Sequence, residues 1–297
     1  MAAIVVLAVL PSCSQSPEPP TTEATAPPVV EQYHPVSSPP LVRLAAAGDV
    51  GTGEPEARAT AAAMDRLEAF GELDALVLLG DNIYPDGDIA RAGPAVLEPF
   101  AAVLDGGTVL LAALGNHDVQ TADGEPQLQA LGMPGRWYRT LLGPIELLVI
   151  DSTRVDDPAQ LAWVRDTLAR PREPQVRWRI VAQHHPPLSA GYHGSDESSR
   201  ALLVPLFERY DVDLVLAGHD HDYQRSIPQN GVVFVVSGGA ATLRPTRSEP
   251  FTAVSASVFH FVELAAFADR LELRAIDQQG RVFDQFIADT PSRALGT

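Results

Sequence analysis

The chain places two histidines, His219 and His221, one residue apart and directly after the apolar run 214–217. A short apolar run that ends in such a turn is typical of a buried strand. Two imidazoles that leave the same turn can reach two neighbouring metal ions. A Gly-His-Xaa-His sequence alone is only a moderate indication of a metal site. Its interpretation therefore depends on the residues at the ends of the other predicted strands.

Four further apolar runs of strand length also end in side chains of metal-binding type. The stretches that close them are Gly48-Asp49-Val50-Gly51, Gly80-Asp81-Asn82-Ile83-Tyr84, Gly115-Asn116-His117-Asp118 and Val181-Ala182-Gln183-His184. Five of the eight histidines fall in or beside these five stretches, and a sixth, His193, lies nine residues after His184. Ligands of open α/β sheets bind at the carboxyl ends of strands, and two-metal sites need several such side chains. The pattern therefore predicts a two-metal site at the carboxyl edge of a sheet.

The composition excludes several classes of partner. The chain has 21 Lys plus Arg against 38 Asp plus Glu, which gives a net charge of −17, and it contains no lysine. An acidic chain without a basic stripe argues against nucleic-acid binding and against attraction to anionic membranes by charge. Cys13 is the only cysteine, so no disulfide can form within the chain.

Residues 1–13 have the pattern of an export leader. Residues 2–10 form an apolar segment that suits a signal peptide and is too short to span a bilayer. The sequence Leu10-Pro11-Ser12-Cys13 resembles a bacterial lipobox, in which the cysteine becomes the lipidated first residue. We therefore expect an exported protein, either a bacterial cell-surface lipoprotein anchored through Cys13 or a secreted protein. A lipid anchor would be its only contact with a membrane.

Residues 14–40 are rich in Pro, Ser and Thr and predict a disordered tether, with His34 as a solvated residue. Residues 41–297 then alternate strands and helices and predict one domain. Strands are predicted at 42–47, 75–79, 109–114, 146–150, 179–182, 214–217 and 232–236. Helices are predicted at 55–70, 94–104, 158–169 and 198–210. Three consecutive strands at 257–264, 270–276 and 281–287 close the chain, which favours two packed sheets with helices outside.

The five stretches together resemble the purple acid phosphatases of the calcineurin-like metallophosphoesterase superfamily. The family motifs DxG, GDxxY, GNH followed by Asp or Glu, VxxH and GHxH all occur here in the family's order. The resemblance covers about Leu41 to the C-terminus and corresponds to the small, single-domain form. It implies an α/β fold, a four-layer αββα sandwich of two mixed β-sheets flanked by helices.

The resemblance also implies a ligand set for two metal ions. Asp81 would bridge both ions; Asp49, Tyr84 and His221 would complete the first site, and Asn116, His184 and His219 the second. Many relatives in the superfamily carry His where this chain has Gly51. Tyr84 replaces that neutral ligand with a hard, anionic phenolate, which favours Fe(III) at the first site. The second ion would be Fe(II), Zn²⁺ or Mn²⁺.

The chemistry implied is hydrolysis of a small phosphate monoester by in-line attack of a metal-bound hydroxide. His117 would contact the phosphoryl group or the leaving oxygen, and Asp118 would orient His117. His193 would help to protonate the leaving group or bind substrate, and His185 would lie at the rim. Two alternatives remain open: a phosphodiesterase on the same metals, and a surface binding lipoprotein without turnover. The sequence predicts no oligomeric state.

Overall fold

The computed structural model of the chain describes residues 31–32 and 39–289, and its strands form two seven-stranded sheets. The first sheet contains β1 (Glu31–Gln32), β2 (Val42–Ala47), β3 (Ala75–Leu79), β4 (Val109–Ala113), β12 (His260–Ala266), β13 (Arg270–Asp277) and β14 (Arg281–Asp289). The second contains β5 (Tyr138–Leu142), β6 (Ile145–Val149), β7 (Trp178–Ala182), β8 (Leu214–Ala217), β9 (Tyr223–Ser226), β10 (Val233–Ser237) and β11 (Thr252–Ala256).

Both sheets mix parallel and antiparallel pairs. The spatial order is β1-β14-β13-β12-β2-β3-β4 in the first sheet and β11-β9-β10-β8-β7-β6-β5 in the second. Strands β2, β3 and β4 run parallel, and so do β6, β7, β8 and β10. Parallel neighbours end at the same edge of a sheet. The turns after these strands are therefore gathered along that edge.

The helices lie on the sheets in two groups. Their bounds are α1 (Pro55–Glu68), α2 (Ala101–Asp105), α3 (Glu125–Ala130), α4 (Pro158–Leu168), α5 (Glu197–Leu202) and α6 (Val204–Arg209). Short 3₁₀ turns occupy Ile89–Arg91, Asp118–Gln120, Ala122–Gly124 and Ser152–Arg154, and a π-helical turn occupies Gly93–Leu97. None of the helices in the described part of the chain has the length and hydropathy of a membrane span.

Strand β6 shows how the layers are packed. Leu147 and Val149 belong to the large core between the sheets, which also takes in α1 and the first sheet. Leu148 points the other way, into a second core with Val164 of α4 and Phe207 of α6. This alternation follows from the two-residue period of a strand. The predicted α/β sandwich of two mixed sheets flanked by helices is confirmed.

Two predicted helices are divided in the structure. The helix predicted at 94–104 is a π-helical turn at Gly93–Leu97 followed by α2, and Phe100 between them leaves the helical region with φ −97° and ψ 8°. The helix predicted at 198–210 is α5 and then α6, with a break at Leu203. Pro205 has no backbone N–H to donate to the preceding turn, which accounts for the second break.

Strands β5, β9 and β11 and helix α3 were not predicted from the sequence. Strand β9 has the sequence Tyr-Gln-Arg-Ser and β11 has Thr-Ala-Val-Ser-Ala, so neither is an apolar run. The residues of β1 also differ from the predicted tether, because they pair antiparallel with β14 in the register Glu31↔Val282. The leader, Cys13 and His34 lie outside the described residues.

Candidate metal centre

The five polar stretches come after β2, β3, β4, β7 and β8, and the two sheets bring them together at one edge. Backbone hydrogen bonds join the turns to each other. The N–H of Asp49 donates to the carbonyl of Gly80 at 3.0 Å, and the N–H of Gly218 donates to the carbonyl of His184 at 3.0 Å. The relative positions of the side chains are therefore fixed by backbone contacts between strand ends.

A first group of donor atoms surrounds the Tyr84 hydroxyl. This oxygen lies 3.0 Å from Oδ1 of Asp49, 2.9 Å from Oδ2 of Asp81 and 3.3 Å from Nε2 of His221. Nε2 of His221 also lies 3.3 Å from Oδ1 of Asp49. The structure thus brings together the four residues predicted for the first metal.

A second group surrounds Nε2 of His184. This atom lies 3.0 Å from Oδ1 of Asn116, 3.3 Å from Nδ1 of His219 and 3.5 Å from Oδ2 of Asp81. His184, Asp81 and Asp49 are buried and form one of the clusters able to hold a metal ion. The four residues predicted for the second metal therefore also converge. Oδ2 of Asp81 is the atom common to both groups.

The hydrogen bonds of His184 and His221 fit a bound cation. Nδ1 of His184 lies 2.9 Å from the carbonyl oxygen of Leu79, so it is the nitrogen that donates. In the neutral ring that a metal ligand requires, its Nε2 then turns a lone pair towards the oxygen of Asn116. Nδ1 of His221 is buried without a hydrogen-bond partner among the described residues. Imidazole nitrogens and amide or carboxylate oxygens at these spacings suit metal ions with bonds of ~2.1 Å.

Three of the converging residues have left-handed backbone. The φ angles are 60° at Asp49, 53° at Asp81 and 71° at His219. Positive φ in residues other than glycine is uncommon and is concentrated at functional sites. The backbone of Gly115 lies against Asp81, because a Cβ at Gly115 would lie 2.2 Å from the nitrogen and Oδ1 of Asp81. The turns are therefore shaped to aim these side chains inward.

The electrostatics of the cluster favour a cation. Burial opposes ionisation of Asp81, but attraction to His184 and the His117 N–H outweigh it and lower the pKa of Asp81. Burial likewise disfavours the imidazolium, yet the Asp81 carboxylate raises the pKa of His184 to about 10. Burial and the two carboxylates raise the pKa of Tyr84. A phenolate at Tyr84 therefore requires a strong cation beside it.

His117 lies at the mouth of the cluster. Its Nε2 is 3.9 Å from Oδ2 of Asp81, and its ring centroid is 4.5 Å from that of Tyr84. Its Nδ1 contacts the carbonyl oxygen of Pro85, so the nitrogen that faces the cluster is Nε2. His117 is about one third exposed, which leaves it accessible to a substrate.

Asp118 does not orient His117, contrary to the sequence-based prediction. It is completely buried, and its carboxylate accepts hydrogen bonds from the backbone N–H groups of Asn82, Ile83 and Gly115 at 2.8–3.1 Å. Burial and the nearby charge of Asp81 raise the pKa of Asp118 to about 6. The ring nitrogen of His117 contacts the carbonyl oxygen of Pro85 instead. Asp118 therefore holds the turn that carries Asp81, through the N–H groups of Asn82 and Ile83.

His193 lies beside the second donor group, with its ring centroid 4.4 Å from that of His219. Its backbone N–H donates to Oδ1 of Asp220 at 2.7 Å, which fixes the loop. His185 contacts the same ligand residue, with a ring separation of 4.5 Å. Burial and repulsion from His184 lower the pKa of His185 to about 4. Both histidines therefore border the second donor group, and only His185 was predicted to lie at the rim.

Three supporting residues were missed in the sequence. Oγ of Ser152 accepts from the backbone N–H groups of His184 at 3.2 Å and His185 at 2.8 Å. Asp220 holds the His193 loop, and the Arg244 guanidinium lies 4.6 Å from the Tyr192 ring centroid. The sequence could have indicated Asp220 as a supporting residue, because it is the central residue of the His-Xaa-His sequence. Ser152 and Arg244 have no motif.

Comparison with known proteins gives a family and several relatives. Residues 42–223, more than half of the chain, match the family described as Calcineurin-like phosphoesterase. The chain is 29% identical to purple acid phosphatase 4 of Arabidopsis thaliana over 209 residues, which are 60% of this chain and 61% of that protein. It is 38% identical to tartrate-resistant acid phosphatase type 5 of Homo sapiens over 88 residues, which are 30% of this chain and 26% of that protein.

Two solved structures share the fold. Purple acid phosphatase PPD1 from yellow lupin (Lupinus luteus) seeds superposes with a TM-score of 0.75 at 20% identity, covering 90% of this chain and 59% of that one. GAP50, described as the anchor in the inner membrane complex of Plasmodium, superposes with a TM-score of 0.77 at 15% identity, covering 85% and 90%. At these identities the likeness concerns the fold.

The two-sheet sandwich, with carboxylates and imidazoles gathered at its strand ends, is consistent with the metallophosphoesterase fold. The chain belongs to the calcineurin-like phosphoesterase family. The resemblance to purple acid phosphatases predicted from the five motifs is confirmed. The chain spans 61% and 55% of the lengths of the two Arabidopsis phosphatases that it matches.

Proposed function

We propose that the protein is a two-metal phosphoesterase that hydrolyses small phosphate monoesters. The observation that carries this proposal is the position of Oδ2 of Asp81, which is 2.9 Å from the Tyr84 hydroxyl and 3.5 Å from Nε2 of His184. One carboxylate oxygen between two donor groups fits a ligand shared by two ions. Asp49, Tyr84 and His221 would then hold the first ion, and Asn116, His184 and His219 the second.

The metal ions, when bound, lower the pKa of water and neutralise phosphoryl oxygens. The chain's own side chains would orient the substrate. Nε2 of His117 faces the cluster and can donate to a phosphoryl oxygen, and the ring of His193 lies beside the second donor group. Asp118 acts indirectly by holding the Asp81 turn. This division leaves His193 as the candidate for protonating the leaving oxygen.

A substrate panel tests the proposed function. Protein loaded with Fe, Zn or Mn should hydrolyse an aryl phosphate monoester at least ~10-fold faster than the matching diester, and chelation should abolish both rates. Loss of a general acid costs roughly 10²-fold, so His193→Ala should slow alkyl phosphates by about that factor. Aryl phosphates should lose less, because their phenolates leave easily. Tyr192→Phe, on the same loop, serves as control.

The outcomes of the panel separate the candidate functions. A preference for the diester would favour a phosphodiesterase on the same donor set. Absence of hydrolysis by protein that binds two metal ions would favour a binding module instead. The seven converging donor residues speak against that last alternative, because a fold kept only for binding has no need to retain them.

We propose Fe(III) for the first ion because Tyr84 needs a strong cation to ionise. Oxidised protein loaded with iron should show a visible absorption band from charge transfer between phenolate and Fe(III). Tyr84→Phe should lose this band while retaining its fold by circular dichroism. Tyr192→Phe should retain the band, because the ring of Tyr192 contacts His193 and not the donor atoms. A colourless wild type with full iron content would contradict the Fe(III) assignment.

We propose further that the protein is exported and anchored by a lipid on Cys13. The support is the apolar segment 2–10 and the lipobox-like sequence directly after it. Wild-type protein expressed in a bacterium should partition with membranes, and Cys13→Ser should appear in the soluble fraction. A soluble wild type whose mature N-terminus lies elsewhere would contradict the anchor.

A further inference from the structure

A cavity of about 450 Å³ lies beside the metal cluster, on the side of the second donor group. Asn116 and His185 form its inner wall, and the segments around Ser152 and Asp156 and around Asp196 form the outer walls. This volume lies within the range of small-ligand sites, which is roughly 300–1,000 Å³. A ligand whose phosphoryl group reached the cluster could therefore place its remaining atoms in this cavity.

The inner wall of the cavity is held in a fixed orientation. Oγ of Ser152 accepts two backbone N–H groups, so its own proton is available to the Nδ1 of His185 at 3.0 Å. This hydrogen bond makes Nδ1 the acceptor and leaves the N–H on Nε2 of His185. Ser152 thus fixes both the backbone and the ring of the residue directly after His184.

The outer walls carry two carboxylates without positive neighbours. Asp156 is exposed and Asp196 is half-buried, and no arginine lines the cavity in the described part of the chain. Arg154 and Arg200, which are close in sequence, pair instead with Asp123 and with Glu197. Oδ1 of Asp196 accepts the N–H of Ser199 at 2.6 Å at the start of α5. The cavity therefore presents two carboxylates that no arginine of its lining pairs with.

We propose that this cavity receives the leaving group of the substrate and selects leaving groups that carry a positive charge. The favoured substrates are phosphate monoesters of amino alcohols, in which the ammonium group lies between the carboxylates of Asp156 and Asp196. Leaving groups that carry a carboxylate or a second phosphate are repelled. The inference rests on the proposed function, because it assumes that the phosphoryl group binds at the metal cluster.

Three phosphonates of matched length test the charge preference without requiring turnover. They are 2-aminoethylphosphonate, n-propylphosphonate and 3-phosphonopropionate, whose tails are cationic, neutral and anionic, and their dissociation constants can be measured by calorimetry on metal-loaded protein. Exposed ion pairs contribute up to about fivefold each, so two carboxylates should favour the cationic over the anionic tail by roughly tenfold or more. Asp156→Asn/Asp196→Asn should reduce this ratio to near one.

The control variant is Asp65→Asn, which removes one carboxylate charge from the exposed face of α1, far from the cavity lining. It should keep the wild-type ratio. Equal affinity of the wild type for the three tails, or an unchanged ratio in Asp156→Asn/Asp196→Asn, would overturn the inference. Hydrolysis of an aryl phosphate is measured on the same samples. Its absence would overturn the proposed function, whereas the affinity ratio alone decides the role of the cavity.

Discussion

Asp81→Asn is expected to lose both metal ions and nearly all hydrolysis. Its Oδ2 is the atom that both donor groups share, and its Oδ1 accepts the backbone N–H of His117 at 2.9 Å. Loss of an outer partner of a metal ligand already costs 10–100-fold in affinity or activity, so loss of a charged shared ligand should cost more than ~100-fold. The amide keeps the shape of the side chain but removes the negative charge.

Metal content after dialysis, measured by elemental analysis beside kcat/KM for an aryl phosphate, checks this result. Asp86→Asn is the matched control, because it makes the same change five residues later on an exposed turn. Asn116→Ala should weaken mainly the second ion, since its contact is with His184. Full occupancy of both sites in Asp81→Asn would show that the assignment of the shared ligand is wrong.

The convergence of the donor residues was predictable because the relevant signal is local. Each motif joins an apolar strand to a turn, and parallel strands necessarily end at one edge of a sheet. Glycines such as Gly80 and Gly115 are part of the same local signal, because they allow close approach between turns. The sequence thus predicts which side chains meet, although their distances come only from the structure.

The role of Asp118 was not predictable from its position beside His117. Adjacent residues on a turn point in different directions, and here Asp118 turns inward to Asn82 while His117 turns outward to Pro85. The choice depends on which backbone N–H groups lack partners in the assembled turn. A sequence motif does not carry that information, because two of those N–H groups, of Asn82 and Ile83, belong to a segment more than thirty residues away.

The cavity beside the cluster was also beyond the sequence. Its outer walls come from the segment after β6 and from the start of α5, which are about forty residues apart. Ser152 and Asp196 belong to no metal-type pattern, and their positions depend on tertiary packing. Of the long loops 119–136 and 238–251, which follow the third and fifth motifs, only Val119 lines the cavity.

Gly51→Ala is expected to disrupt the centre although Gly51 offers no ligand. A Cβ at Gly51 would lie 2.2 Å from the carbonyl carbon of Asn82 and 2.5 Å from the nitrogen of Ile83. These are backbone atoms that cannot rotate away, and Gly51 also bonds to the backbone of Asp81 and Tyr84. The same contact leaves no room for an imidazole at this position.

Overpacking of this kind costs typically 1–3 kcal/mol, and contact with backbone belongs at the upper end, so Gly51→Ala should lower the free energy of unfolding by about 3 kcal/mol. It should also weaken metal binding, because the displaced segment carries Asp81 and Tyr84. Gly135→Ala is the control, since a Cβ there meets only the Trp137 carbonyl at 3.6 Å. Denaturant unfolding and equilibrium dialysis measure the two effects. A Gly51→Ala protein with wild-type stability and both ions would contradict this prediction. It would show that the segment 81–84 moves at no cost in stability, and that lack of space is not the reason why this chain has no histidine at position 51.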